Sequence, residues 1–148
     1  NNPEWAPYIK EEILKAKNVN PGNVLFISFG DKILAALKKE LPEYKAYWVT
    51  GHSVYKKDKK TNKKVGRPLT VQEILKTLRK INADGVDICF NKKIVTPKLV
   101  DAIKDAGFSC HVWTVDDIAN AKAAFAAGVD TLTTNRAKGI LDDYNSGK

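Results

Sequence analysis

The feature that most constrains the fold is the regular alternation of short apolar runs with amphipathic segments along almost the whole chain. The apolar runs have the length of buried strands, and the segments between them carry apolar residues at the 3.6-residue period of helices. We predict strands at 24–29, 44–49, 85–90, 108–115 and 129–134. We predict helices at 3–17, 31–41 and 136–144. Another helix is expected to follow the Thr70–Glu73 capping box, and another to run from Thr96-Pro97 to Gly107. A further helix is expected to end at Ala127, with Asp116 and Asp117 as its caps.

Strands separated by helices predict parallel pairing, because each right-handed crossover returns the chain to the same edge of the sheet. A doubly wound open sheet and a (β/α) barrel both satisfy this order, and periodicity alone leaves the two open. The 148 residues predict a single domain, residues 1–148. The first strand, VLFISF, is expected to be buried on both faces, since its apolar run continues up to Ser28.

The alternation is interrupted once, by a polar stretch at about 50–69 that contains the Lys-rich segment KKDKKTNKK, from Lys56 to Lys64. The stretch is too long for an ordinary connection in a compact α/β unit. We therefore expect an insertion with a function of its own, or a disordered excursion. It supplies much of the net charge of +8, and such a patch attracts nucleic acid, anionic membrane or a phosphorylated substrate. A solvated loop without a partner fits the pattern equally well.

Several functional classes lack their sequence signals. The chain has no GxGxxG after a strand, no P-loop, no HExxH and no CxxC, which argues against nucleotide-loop and common zinc chemistry. No apolar run approaches the roughly 20 residues that a membrane span needs. Because the chain begins at Asn1 and contains no Met, we expect it to be a processed or excised piece of a longer protein. The sequence indicates no compartment.

Two residues are candidates for contacting a ligand. Trp113 comes near the C-terminal end of the fourth strand, where sites form in barrels and open α/β sheets, and its indole offers a flat wall and one N–H donor. A plain core tryptophan is the alternative. Ser28 ends the first strand on the face shared with Phe26, where its hydroxyl could bind a phosphate or cap the following helix near Asp31. His111 lies deeper in its strand, so a hydrogen-bonded interior histidine is favoured over a catalytic base.

Acidic residues and the last loop carry less information. Asp87 is the only acidic residue inside the third strand, and Asp130 begins the fifth strand at the end opposite a site. Since a divalent cation needs several converging oxygen ligands, no metal ligand is predicted in this chain, and no catalytic residue either. Thr133, Thr134 and Asn135 end the last strand, where they could bind phosphate or simply cap the following helix.

Three blocks, FISF at 26–29, HVWTVDD at 111–117 and GVDTLTTNR at 128–136, resemble the second half of glycerophosphodiester phosphodiesterases. The resemblance implies a (β/α)₈ barrel that hydrolyses glycerophosphodiesters to glycerol 3-phosphate and an alcohol. It also implies a divalent cation, Ca or Mg, with two acid–base histidines and metal-binding carboxylates on the first three strands. Those blocks are absent from this sequence. The expected fold is therefore α/β, a partial TIM-type barrel of about five parallel strands whose N-terminal strands are missing, and the chain alone is expected to be inactive.

By the same resemblance, Trp113 matches the family's substrate-facing tryptophan and Ser28 matches the serine of its "SF" strand end, so both are predicted to bind substrate. Asn135 stands where the family usually has Asp, and Ala137 where it usually has Pro. The expected partners are a small phosphodiester substrate and the missing N-terminal fragment of the same protein. The alternatives are an unrelated α/β enzyme and a basic anion- or nucleic-acid-binding α/β module; nucleic acid is disfavoured because Tyr55 is the only aromatic residue among the basic ones.

Overall fold

A computed structural model describes residues 2–57, 62 and 64–147. Within these residues a single 3₁₀ turn, Pro3–Trp5, precedes six α-helices: α1 (Ala6–Lys15), α2 (Asp31–Glu40), α3 (Val71–Ile81), α4 (Pro97–Asp105), α5 (Ile118–Ala126) and α6 (Ala137–Asn145). The strands are β1 (Leu25–Ser28), β2 (Lys45–Thr50), β3 (Ser53–Lys57), β4 (Lys64–Pro68), β5 (Gly85–Cys89), β6 (Ser109–Trp113) and β7 (Thr131–Leu132). None of the helices in the described part of the chain is both long and apolar enough to cross a membrane.

The main sheet contains β1, β2, β5, β6 and β7 in that order, all parallel. A doubly wound sheet reverses its strand order part-way across, whereas the described strands run in one direction, as they do in a (β/α) barrel. The predicted α/β fold with five parallel strands alternating with helices is confirmed. The sheet is not closed, since β1 and β7 each pair with a single described strand.

The helices cover only one face of this sheet. One core joins α2 to α6 with alternate strand residues: Leu34, Ile74, Val100, Ala121 and Ile140 pack with Ala46, Val86, Ile88, Cys110 and Val112. We call this side the helix-covered face. The intervening residues, which include Ile27, Tyr47, Asp87, His111 and Trp113, point to the other side, the open face.

Capping residues begin three of the helices where the sequence predicts them. The Thr70 hydroxyl accepts from the backbone N–H of Glu73, and the Glu73 carboxylate accepts from that of Thr70, which completes the predicted capping box of α3. Thr96 caps α4 and Asp117 caps α5 in the same way. Gly85 permits close strand pairing, because a Cβ there would lie 2.3 Å from the Ser109 carbonyl oxygen.

The prediction that the first strand is buried on both faces is wrong. Leu25 and Ile27 of β1, and Phe29 just beyond it, are exposed. They point to the open face on an edge strand, where neither a helix nor a further described strand lies over them. Phe26, which alternates with them, packs into the core.

The insertion predicted at about 50–69 contains a β-hairpin, in which β3 and β4 pair antiparallel as a separate two-stranded sheet. Residues 58–61 and 63 of the Lys-rich segment lie outside the described residues. At the hairpin's base the Leu69 N–H donates to the His52 carbonyl oxygen at 3.0 Å. The Arg67 guanidinium donates to both oxygens of the Glu73 carboxylate, at 2.8 and 2.5 Å, which joins the hairpin to the first turn of α3.

Candidate functional site

Trp113 lies at the end of β6 on the open face, at the edge where all five parallel strands end; we call this the carboxyl edge. Its indole N–H donates to the backbone carbonyl of Asp87 at 3.1 Å. The ring of Phe29 meets it edge-on, with ring centroids 5.4 Å apart and an interplanar angle of 89°. Because an indole has one N–H, Trp113 offers a ligand its ring and no hydrogen-bond donor.

Ser28 lies at the same edge but on the helix-covered face, since it continues the alternation of Phe26 and pairs in register with Trp48. Its hydroxyl accepts from the backbone N–H of Gly30 at 3.0 Å, immediately before α2. The hydroxyl thus bonds the residue before the helix, and no described side chain caps α2, so the capping alternative is not confirmed. The structure does not bring Ser28 and Trp113 together on one face, and their role as substrate contacts stays a prediction.

Phe29 is the side chain of this strand end that contacts Trp113, and the sequence reasoning missed it. The available signal was its position: it follows the strand at the alternation that puts Leu25 and Ile27 on the open face. An apolar residue at this position fits a core residue and a binding-site residue equally well, because periodicity does not show what covers a face of the sheet.

Asp87 and His111 lie deeper on the open face, as register partners on neighbouring strands. Asp87 is only 5% exposed, and its Oδ1 atom has no hydrogen-bond partner among the described residues. The Nδ1 atom of His111 bonds the Thr131 hydroxyl, whereas its buried Nε2 likewise finds no described partner. The ring of Tyr47 packs against the imidazole with centroids 4.2 Å apart. His111 is therefore a hydrogen-bonded interior residue.

Burial shifts both groups toward their neutral forms. It raises the pKa of the Asp87 carboxyl from an ordinary 3.8 to about 6. It lowers the pKa of His111 below 6.5, an effect that nearby Asp130 opposes and Lys45 reinforces, so the imidazole is neutral at pH 7. Oδ1 of Asp87 and Nε2 of His111 are therefore two buried polar atoms without a hydrogen-bond partner among the described residues.

Asp116 organises the loop after β7, and the prediction that it caps the following helix is wrong. Its carboxylate accepts from the backbone N–H of Asn135 at 2.7 Å, from the side-chain amide of Asn135 at 2.9 Å and from the Thr134 hydroxyl at 3.0 Å. These bonds, those from Asn135 above all, lower the pKa of Asp116. Asp117 alone caps α5, because only its side chain reaches back over the first helical N–H groups.

Sequence comparison then decides the family. Residues 7–138 match the glycerophosphoryl diester phosphodiesterase family. The chain belongs to this family. The resemblance seen in the three sequence blocks is thereby confirmed, while a comparison with curated proteins gives no match.

Solved structures of family members share the fold. A glycerophosphodiester phosphodiesterase from Parabacteroides distasonis is 20% identical with a TM-score of 0.71, covering 99% of this chain and 54% of that protein. An Oleispira antarctica phosphodiesterase, solved in complex with the product sn-glycerol-3-phosphate, is 16% identical with a TM-score of 0.70, covering 97% and 50%. A Thermotoga maritima glycerophosphodiester phosphodiesterase is 15% identical with a TM-score of 0.60, covering 96% and 54%. The chain thus spans about half the length of these family members.

The described residues do not fit a divalent cation by themselves. No group of three or more His, Cys, Asp or Glu side chains among them is placed to hold a metal ion. Asp116 binds the last loop, and Asp130 accepts from the Cys110 N–H at 2.8 Å and from Lys104 at 2.9 Å at the opposite, amino edge of the sheet. Asp87 remains as one buried carboxylate, which is too few oxygen ligands for Ca²⁺ or Mg²⁺.

Proposed function

We propose that this chain supplies the substrate-facing wall of a phosphodiesterase that hydrolyses glycerophosphodiesters to glycerol 3-phosphate and an alcohol. The family match supports the reaction class, and the Oleispira antarctica relative, bound to sn-glycerol-3-phosphate, supports the substrate class. The chain alone is proposed to be inactive, because the described residues offer neither a cation site nor a base beside a nucleophile.

The observation that carries the proposal is the pairing of Trp113 with Phe29 at the carboxyl edge. Ligands of (β/α) barrels bind at this edge. With its N–H bonded to the Asp87 carbonyl, Trp113 is held in one orientation and presents an apolar surface. Such a surface suits the carbon skeleton of glycerol, so the phosphate must be bound by other groups. Ser28, whose hydroxyl lies at the same edge, is proposed as one of them.

The open face supports a role for a second segment, which we propose to be an N-terminal fragment of the same protein. Leu25 and Ile27 are exposed there, and on the same face, two strands away, Oδ1 of Asp87 lacks a described partner. Strands laid over or beside this face would bury the apolar residues and could donate to the carboxylate. Catalytic groups and cation ligands belong to that segment in this proposal.

The Lys-rich insertion, Lys56 to Lys64, is proposed to draw the anionic phosphodiester toward this edge, from which the hairpin leaves β2. Neutralising Lys56, Lys57 and Lys64 in the intact enzyme should raise KM at low salt and leave kcat unchanged. An unchanged KM at low salt would contradict this role.

The substrate wall can be tested on the chain as it stands, because its three tryptophans are internal controls for one another. We expect titration with sn-glycerol-3-phosphate to shift the indole N–H NMR signal of Trp113 and to leave those of Trp5 and Trp48 in place. Trp5 is exposed beside α1, and Trp48 packs on the helix-covered face. Equal shifts of all three signals, or none at Trp113, would contradict the proposal. Metal-dependent turnover by a sample that contains only this chain would contradict its inactivity.

A further inference from the structure

Two aromatic rings meet over the open face at the carboxyl edge. Phe29 follows β1 and Trp113 ends β6, so β2 and β5 lie between them in the sheet. Neighbouring strands are about 4.8 Å apart, which separates β1 from β6 by roughly 14 Å across the sheet. The two ring centroids are nevertheless only 5.4 Å apart. The side chains therefore reach toward each other above β2 and β5, and we call this pair the aromatic bridge.

Asp87 lies beneath the aromatic bridge. It belongs to β5, two residues before Cys89, which is the register partner of Trp113. The indole N–H of Trp113 donates to the Asp87 carbonyl oxygen at 3.1 Å, so the indole extends from β6 back over β5. Asp87 and its register partner on β2, Val49, are 5% and 7% exposed, although the described helices pack on the other face. The aromatic bridge therefore helps to shield this carboxyl group from solvent.

The shielded carboxyl lacks a hydrogen-bond donor. Oδ1 of Asp87 is buried and has no partner among the described residues. Burial of such an atom is unfavourable unless a hydrogen bond compensates it, so an unpaired buried carboxyl requires an explanation. Its register partners supply no donor: Val49 is apolar, and the Nδ1 atom of His111 bonds the Thr131 hydroxyl. We therefore look for the donor in a bound molecule.

We infer that Asp87 determines specificity for the glycerol group of the substrate, by bonding one of its hydroxyls beneath the aromatic bridge. The inference rests on the proposed function, in which the carbon skeleton of glycerol packs on Trp113. An apolar ring beside a buried carboxyl suits a polyol, because the C–H groups contact the ring while a hydroxyl reaches the carboxyl. Either protonation state fits, since a carboxylate accepts from a hydroxyl and a carboxylic acid also donates to one. Phe29, which is 59% exposed, is the side chain of the bridge that moves to admit the glycerol group.

The test compares sn-glycerol-3-phosphate with n-propyl phosphate, which has the same carbon skeleton and phosphate but no hydroxyl on its carbons. Each is titrated into the chain, and the indole N–H NMR signal of Trp113 reports binding. We expect the dissociation constant of n-propyl phosphate to be about tenfold higher, because this ligand leaves the Asp87 carboxyl unpaired. Equal dissociation constants would overturn the inference and leave the proposed substrate wall intact. A Trp113 signal that responds to neither ligand would overturn the substrate wall and, with it, this inference.

Substitution of Asp87 tests whether its carboxyl causes the preference. Asp87→Leu has a similar volume and no hydrogen-bonding group, so the ratio of the two dissociation constants should fall from about ten to about one. Asp87→Asn keeps an acceptor and donors and should retain most of the preference. The matched control is Asp105→Leu, which removes the same charge from an exposed position of α4 and should leave the ratio unchanged. A ratio that survives Asp87→Leu, or that falls equally in Asp105→Leu, would overturn the inference. The wild-type comparison stands even if Asp87→Leu does not fold.

Discussion

The two faces of the main sheet differ in how completely the described residues pack their apolar side chains and hydrogen-bond their polar ones. On the helix-covered face, Val86, Ile88 and Val112 are almost wholly buried among the helices. On the open face, Ile27 of β1 is exposed, while Asp87, two strands away on β5, is buried without a described partner for Oδ1. A surface that exposes apolar side chains and also leaves a buried polar atom unpaired is typical of one that packs against further structure. The helix-covered face therefore holds the main buried core, whereas the open face leaves apolar and polar groups without a described partner.

A matched pair of isoleucine substitutions would break this comparison most directly. Ile88 is 1% exposed on the helix-covered face, and Ile27 is 58% exposed on the open face. We expect Ile88→Ala to lower the free energy of unfolding by about 2–5 kcal/mol, because it leaves a cavity in the core. Ile27→Ala should change it by less than about 0.5 kcal/mol. Urea unfolding followed by circular dichroism measures both free energies. Similar losses in the two variants would show that the open face is covered. Repeating the unfolding at lower protein concentration would then reveal whether self-association covers it.

Replacing the unpaired carboxyl would sharpen the comparison. Because the pKa of Asp87 is raised to about 6, the folded chain holds its proton at pH values where the unfolded chain has released it. Asp87 therefore makes stability fall as pH rises from about 4 to 6, by on the order of 3 kcal/mol, and the loss persists at pH 7. Asp87→Asn should remove that slope and stabilise the chain at pH 7.

The control for this prediction is the difference between wild type and Asp87→Asn at each pH. Asp31 and Asp116 have lowered pKa values, so they make stability rise with pH and would otherwise mask the effect. They cancel in the difference. A difference that stays constant between pH 4 and 7 would contradict an unpaired, buried Asp87.

The mildest test changes no residue and compares the two cysteines. Cys110 is buried on the helix-covered face, where burial raises the pKa of its thiol to about 12. Cys89 is half-buried at the carboxyl edge on the open face. Since the thiolate is the reactive form, a thiol reagent should label Cys89 in the folded chain and Cys110 only after unfolding. Labelling of both at one rate under native conditions would show that the helix-covered face opens readily.

Local patterns predicted much of the fold. Capping at Thr70, Thr96 and Asp117 is short-range chemistry between residues three positions apart, and it appears where the sequence places it. Alternation along single strands also put Ser28 with Phe26, and Trp113 with His111, on the sides that the register confirms.

What the sequence did not predict depends on contacts between distant segments. Asp116 and Asp117 look alike as caps, yet Asp116 binds Asn135, which lies 19 positions further along the chain. The exposure of Ile27 depends on whether another segment packs over β1, and a run of apolar residues in the sequence does not show this. The hairpin was likewise hidden, because Lys-rich strands lack the alternation that marks a half-buried strand. For the candidate site, the position at a strand end is enough to select Trp113, whose role stays a prediction, whereas its contact with Phe29 appears only in the folded structure.

The Glu73 carboxylate joins the insertion to α3. One carboxylate holds the first turn of α3 and, through Arg67, the second arm of the hairpin. These bonds, with Arg67 first among them, keep the pKa of Glu73 far below its ordinary value, so acidification does not release the joint until well below neutral pH. The second arm of the hairpin and the start of α3 are therefore tied by one exposed ion pair, which added salt should weaken.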